Sequence, residues 1–189
     1  MKIVRNLLRR WPVVVAALLA AGIVHICTVF ALPKIYRTDA YTRLARTLPS
    51  NAFVILPQAQ PRAQVLPLQM PDARYAICRF DVGDGPLSVR AVLAEPGWTL
   101  SAYTQEGESF YAMPASEQRR LNVNLLVLPP GDRFLGPLTE LRSADPDISQ
   151  VTAPTRRGLI VIQAPMKGRT YAAELEQNLL KAACRKLSF

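Results

Sequence analysis

Few residues in this 189-residue chain have the type and spacing to do chemistry. The only histidine, His25, lies inside an uncharged apolar run. The rest of the chain therefore has no imidazole for a Ser-His-Asp triad, a Cys-His dyad or a His-ligated zinc. Cys27 shares that run, which leaves Cys78 and Cys184 outside it, with no CxxC pair. Two cysteines in an oxidising compartment read as one structural disulfide rather than a redox centre; two separate buried thiols are the competing reading. The bond would tie a strand to the C-terminal helix and close a loop of about a hundred residues, stabilising by roughly 4–5 kcal/mol through loop entropy.

Asp81 and Asp84 flank a glycine in Phe80-Asp81-Val82-Gly83-Asp84-Gly85-Pro86. Calcium needs six to eight oxygens, and the EF-hand spacing is missing, so a hairpin turn is the expected use of both carboxylates. Trp98, Tyr103 and Tyr111, with Phe110, fall on neighbouring strands. They read either as core filling or as the floor of a ligand pocket. The pairs Arg119-Arg120 and Arg156-Arg157 fall in loops, where they stay solvated or meet anionic headgroups. Nothing specifies a catalytic residue, a cofactor or a metal site, and no nucleic-acid recognition motif is present.

The segment that holds His25 decides where the rest of the protein works. Val13–Leu32 is 20 residues without a charge, and as a helix it spans about 30 Å, the hydrocarbon core of a bilayer. Trp11 suits the water interface, and Pro33 is expected to close the run. A cleaved signal peptide usually has a shorter apolar region of about 7–15 residues, so an uncleaved anchor is expected. Lys2, Arg5, Arg9 and Arg10 precede the span with no acid among them. Lys34, Arg37, Arg43 and Arg46 follow it, but long C-terminal domains translocate largely regardless of charge. Residues 1–12 are thus expected to be a cytoplasmic tail, 13–32 a transmembrane anchor and 33–189 a periplasmic domain of a bacterial inner-membrane protein. His25 itself is a candidate helix–helix contact, and Ala16/Ala20 and Ala17/Ala21 have the small-residue spacing that seats a partner helix.

The exported part carries 19 basic and 14 acidic side chains out of a total net charge of +9, and 15 of the 16 prolines lie beyond residue 32. Prolines at that density cut the chain into short elements. Thr38–Leu48 has apolar residues at helical spacing, with Thr38 as its cap. Short strands are expected at 53–56, 74–82, 87–94, 98–104, 109–113, 122–128, 148–152 and 158–164. Those from 74 to 113 read as a meander, and the last two as a hairpin. Arg169–Lys186 is expected to be a closing helix with Tyr171, Leu175, Leu179 and Ala182 on one face. The expected fold class is α+β: an N-terminal transmembrane helix, then a β-sandwich-like domain with a short N-terminal helix and a C-terminal helix.

A family resemblance runs through residues 38–186. Asp39-Ala40-Tyr41 opens a helix, and Cys78-Arg79-Phe80-Asp81-Val82 runs into Asp84-Gly85-Pro86-Leu87. Val92 to Tyr111, the Pro154 hairpin and Gly158-Leu159-Ile160-Val161 come next. In this order they resemble the bacterial family of unknown function called DUF twelve-fifty-four, in its short, membrane-anchored alphaproteobacterial branch. The resemblance implies a β-sandwich-like domain of the cell envelope with no established reaction. It also implies that longer relatives carry a second β-rich domain. The expected function is an envelope interaction module that works with a second membrane-anchored protein. A periplasmic small-ligand or lipid-binding sandwich is the first alternative, and a carboxylate-based hydrolase the second.

Overall fold

The computed structural model describes residues 2–35, 40–60, 65–67, 69–116, 120–131 and 148–187; Thr38, Asp39 and Arg119 fall outside them. The chain forms two compact units, Met1–Thr38 and Asp39–Phe189. The first is helix α1, Lys2–Ile35. Within it, Arg10–Leu32 is long and apolar enough to cross a membrane. Pro33 does not end the helix, which runs on to Ile35. The Thr28 hydroxyl donates to the Val24 carbonyl at 2.7 Å, so this polar group is satisfied within its own helix.

The second unit is an α+β domain with two β-sheets. Its strands are β1 (Phe53–Ile55), β2 (Ala73–Asp81), β3 (Leu87–Leu93), β4 (Thr99–Thr104), β5 (Ser109–Pro114), β6 (Leu121–Leu128), β7 (Ile148–Thr152), β8 (Arg157–Pro165) and β9 (Ala183–Lys186). One sheet has the order β1-β2-β8-β4-β5 and the other β7-β6-β3-β9. Pairing is antiparallel except for β7 on β6. Period-two alternation gives each strand one apolar side: in β3, Leu87, Val89, Ala91 and Leu93 are buried while Ser88, Arg90 and Val92 face outward. These inner faces share one core, in which Phe80, Leu87, Leu100, Leu125, Ile160 and Ile162 are almost fully buried. A second, smaller core lies on the opposite face of β2 and β8. There Tyr41 and Leu44 of α2 (Ala40–Ala45), with Leu48, pack on Leu56, Ile77 and Leu159.

Strand positions match the sequence pattern, but strand partners do not follow chain order. Successive strands mostly swap sheets, so the expected meander reduces to one true hairpin, β4–β5. The segment after β2 is an inter-sheet corner, not a hairpin turn. The expected β7–β8 hairpin is also absent: β7 lies parallel to β6 in one sheet, and β8 is the middle strand of the other. The reason is burial. Leu159 and Val161 on one side of β8, and Ile160, Ile162 and Ala164 on the other, contact both cores and need cover on two faces. Such a strand belongs in the middle of a covered sheet.

The closing helix is shorter than its periodicity predicts. After a 3-10 turn at Arg169–Tyr171, helix α3 runs over Ala172–Leu180, and residues 183–186 become β9 on the edge of β3. Leu175 and Leu179 face the core, but Tyr171 is 54% exposed and is no part of the buried face.

Candidate functional site

Cys78 and Cys184 form a disulfide, with Cα atoms 6.5 Å apart and a sequence separation of 106. Its ends differ from expectation in one respect: Cys184 belongs to strand β9, not to the helix. Cys78 sits on β2 of one sheet, so the bond pins the two sheets together through the core. Both residues are buried. A bond enclosed in this way is a structural staple rather than an exchange centre.

At one end of the sandwich, two inter-sheet corners lie side by side. The first, residues 82–86, leaves β2, and the second, 153–156, enters β8. The Val82 amide donates to the Arg156 carbonyl at 2.9 Å and locks them together. Asp81 is the hinge of this end. One carboxylate oxygen accepts the Gly83 amide at 3.0 Å, and the other accepts Arg157 Nε at 2.9 Å. Its own amide donates to Asn51 Oδ1 at 3.0 Å, and Asn51 stands at φ 58°, a left-handed conformation that asparagine tolerates. Asp84 accepts Lys186 Nζ of β9 at 2.7 Å, and the Leu187 amide donates to the Pro86 carbonyl at 3.0 Å. Both carboxylates therefore do more than make a turn: each ties its corner to another strand.

Partial burial pushes the Asp81 carboxyl up. The Gly83 amide, the Arg157 guanidinium beside it and the charge of Lys186 outweigh that and hold it below the usual carboxylate value. A lowered carboxyl is the reverse of what a general acid at neutral pH needs. The open cleft over these corners has a volume of about 540 Å³ and polar walls that include Asp84, Gln105, Thr155 and Arg156. Arg156 is exposed there, whereas Arg157 is committed to Asp81. No group of three or more His, Cys, Asp or Glu side chains that could hold a metal occurs among the described residues.

The three aromatic candidates do not converge. Trp98 is buried in the core beside α3. The cavity at its edge, next to Tyr171, Leu175 and Asn178, has about 20 Å³, room for about one water. Tyr103 follows the outward parity of β4, whose inward residues are Leu100, Ala102 and Thr104. Tyr111 lies opposite Ala102 and packs partly against the core. A β-bulge explains why Phe110 does so too: the register skips Phe110 between Ser109 and Tyr111, so two consecutive rings reach one side. Burial raises the Tyr111 phenol above its usual value, opposed by a hydrogen bond with Ser149. His25 lies on the exposed surface of α1.

Asn51, Gln105, Thr155 and Lys186 carry no sequence signal for this end of the sandwich. Asn51 and Lys186 find their partners 30 and 102 positions away, and Gln105 and Thr155 arrive only when the corners come together. Gly158 is a further position of this kind. A Cβ there would collide with the Tyr103 carbonyl and lie 2.6 Å from the Phe80 ring. The Phe80 ring meets Phe110 edge-on, with centroids 6.2 Å apart.

No protein-family model matches the chain, and no curated protein matches it. Among solved structures it is similar to the VPA0106 protein from Vibrio parahaemolyticus, with a TM-score of 0.53 and 15% identity. The likeness covers 79% of this chain and 34% of that one. It is a likeness of fold. In that protein the fold occupies about a third of the chain.

Proposed function

We propose that the chain is a single-pass inner-membrane protein whose exported, disulfide-stapled domain is an envelope interaction module. The observation that carries this reading is the pairing of an apolar helix of membrane-spanning length with a buried disulfide in the domain after it. A disulfide of this kind belongs to an oxidising compartment, and an N-terminal anchor with a positive tail favours the domain on that side. An interaction role is favoured over catalysis because the two candidate carboxylates are spent on joining strands. The resemblance to the DUF twelve-fifty-four family supports a β-rich domain of another membrane-anchored protein as the partner. Crosslinking in native membranes tests this. A second membrane protein crosslinked to the exported domain is the expected product. Crosslinks only between copies of this chain would remove the partner.

The open cleft supports one other reading. Its volume lies in the range of about 300–1,000 Å³ usual for ligand sites, although its polar walls suit a hydrophilic ligand rather than a lipid. A metabolite retained through purification from native membranes would bring this reading forward.

A further inference from the structure

The acidic residues of this chain are unevenly distributed. From Ala40 to Pro71 there is no Asp or Glu, and all acids but Asp39 lie at Asp72 or beyond. The acid-free stretch includes α2, Val65 and Leu66, which pack on the outer face of β2 and β8, and β1, the edge strand of the same sheet. The segment that covers this face thus carries basic side chains and no acid of its own. Helix α2 turns Tyr41 and Leu44 inward and leaves Arg43 and the adjacent Arg46 exposed. Neither arginine has an ion pair with a described residue. Ion pairs join Arg74, Arg157, Lys167 and Lys186 to Glu176, Asp81, Glu95 and Asp84, and Arg156, like Arg43 and Arg46, is exposed without one among the described residues. Arg43 and Arg46 therefore present their charge at the surface. This coat is also the first part of the domain after the anchor: only residues 36–39 separate the end of α1 from the start of α2.

We propose that the α2 face, through Arg43 and Arg46, docks on anionic phospholipid headgroups of the membrane that α1 spans. A protein surface is the less suitable occupant, because α2 offers outward cations without an exposed large apolar side chain to act as an anchor. Attraction of basic residues to an anionic bilayer needs only charge, and it acts within about 8–10 Å at physiological salt. Docking would fix which surfaces of the domain remain free for a partner. The proposal rests on the anchored reading above, and the two are separable by experiment.

The test uses the full chain, with Cys27→Ala as background, reconstituted in bilayers of phosphatidylcholine alone or in equal parts with phosphatidylglycerol. Resistance to alkaline carbonate extraction checks the anchor independently of the docking measurement. A spin label at Thr47→Cys reports on the α2 face, and one at Glu106→Cys, in the exposed β4–β5 turn, serves as control. The Thr47 label is expected to be shielded from a water-soluble relaxation agent only in the anionic bilayer, and exposed again at high salt. Each arginine should shift docking about fivefold. The pair Arg43→Glu/Arg46→Glu should therefore return the label to its accessibility in neutral lipid. The Glu106 label should not change. Equal accessibility of Thr47 in the two bilayers would overturn the proposal, as would salt-insensitive shielding in both, which would identify a protein contact instead.

Discussion

Cys78 and Cys184 join the middle of one sheet's β2 to the short edge strand of the other, 106 residues later in the chain. Strand β9 has four residues and a single neighbour, so its pairing on β3 alone is weak. The disulfide holds it in place, and β9 in turn delivers Lys186 to Asp84.

Replacing both cysteines with alanine is expected to lower stability by about 2–5 kcal/mol, the usual loss for a native disulfide that closes a long loop. Urea unfolding of the two proteins measures it. The larger part of the loss should appear as a lower midpoint, with hydrogen exchange of residues 183–186 accelerated first. An unchanged midpoint would mean that packing alone holds β9.

Asp81→Asn should cost about 0.5–1.5 kcal/mol at neutral pH, since it removes a charge-assisted bond to a half-exposed partner but leaves the backbone contacts. The pH dependence has a definite sign. The folded carboxyl sits below its ordinary value near 3.8, so the stabilisation from Asp81 is fully present above that value. It is lost as pH falls through the lowered folded value. Thermal melts from pH 7 down to acid should show wild type and Asp81→Asn converging at the acid end. A gap that widens on acidification contradicts this assignment.

Gly158→Ala is expected to destabilise by about 3 kcal/mol, near the upper end for overpacking. A methyl group there has to displace strand β4 or the Phe80 ring, and neither has free space. Shrinking the ring with Phe80→Leu in the same chain should recover part of the loss, which a double-mutant cycle would detect. Strict additivity would place the strain elsewhere.

The sequence states which residues face the core more clearly than which strands pair with each other. Alternation in 87–93 and 121–128 marks inward faces, and it does so whichever sheet receives the strand. Sheet membership depends on corners such as 82–86, where Asp and Gly look the same in a hairpin as in an inter-sheet crossing. The residues from Tyr171 to Ala182 keep a helical spacing. What ends the helix at Leu180 is the pull on Cys184 from Cys78 and the open edge of β3, both more than 90 positions upstream. The aromatic candidates do not meet for a related reason: Trp98 and Tyr103 are five positions apart on one strand run and so take opposite parities. The apolar helix is legible because membrane-spanning length and apolarity are local properties of the sequence that need no tertiary partner.

Under the proposed function, which side of the membrane the domain occupies matters most, because the oxidised disulfide and the envelope partner both require an exported domain. Alkaline phosphatase fused after Phe189 reads this directly, with a cytoplasmic reporter at the same position as its complement. Active phosphatase and a silent cytoplasmic reporter are the predicted result. Inactive phosphatase with an active cytoplasmic reporter would place the domain inside the cell and contradict the anchor orientation and the oxidised Cys78–Cys184 pair together.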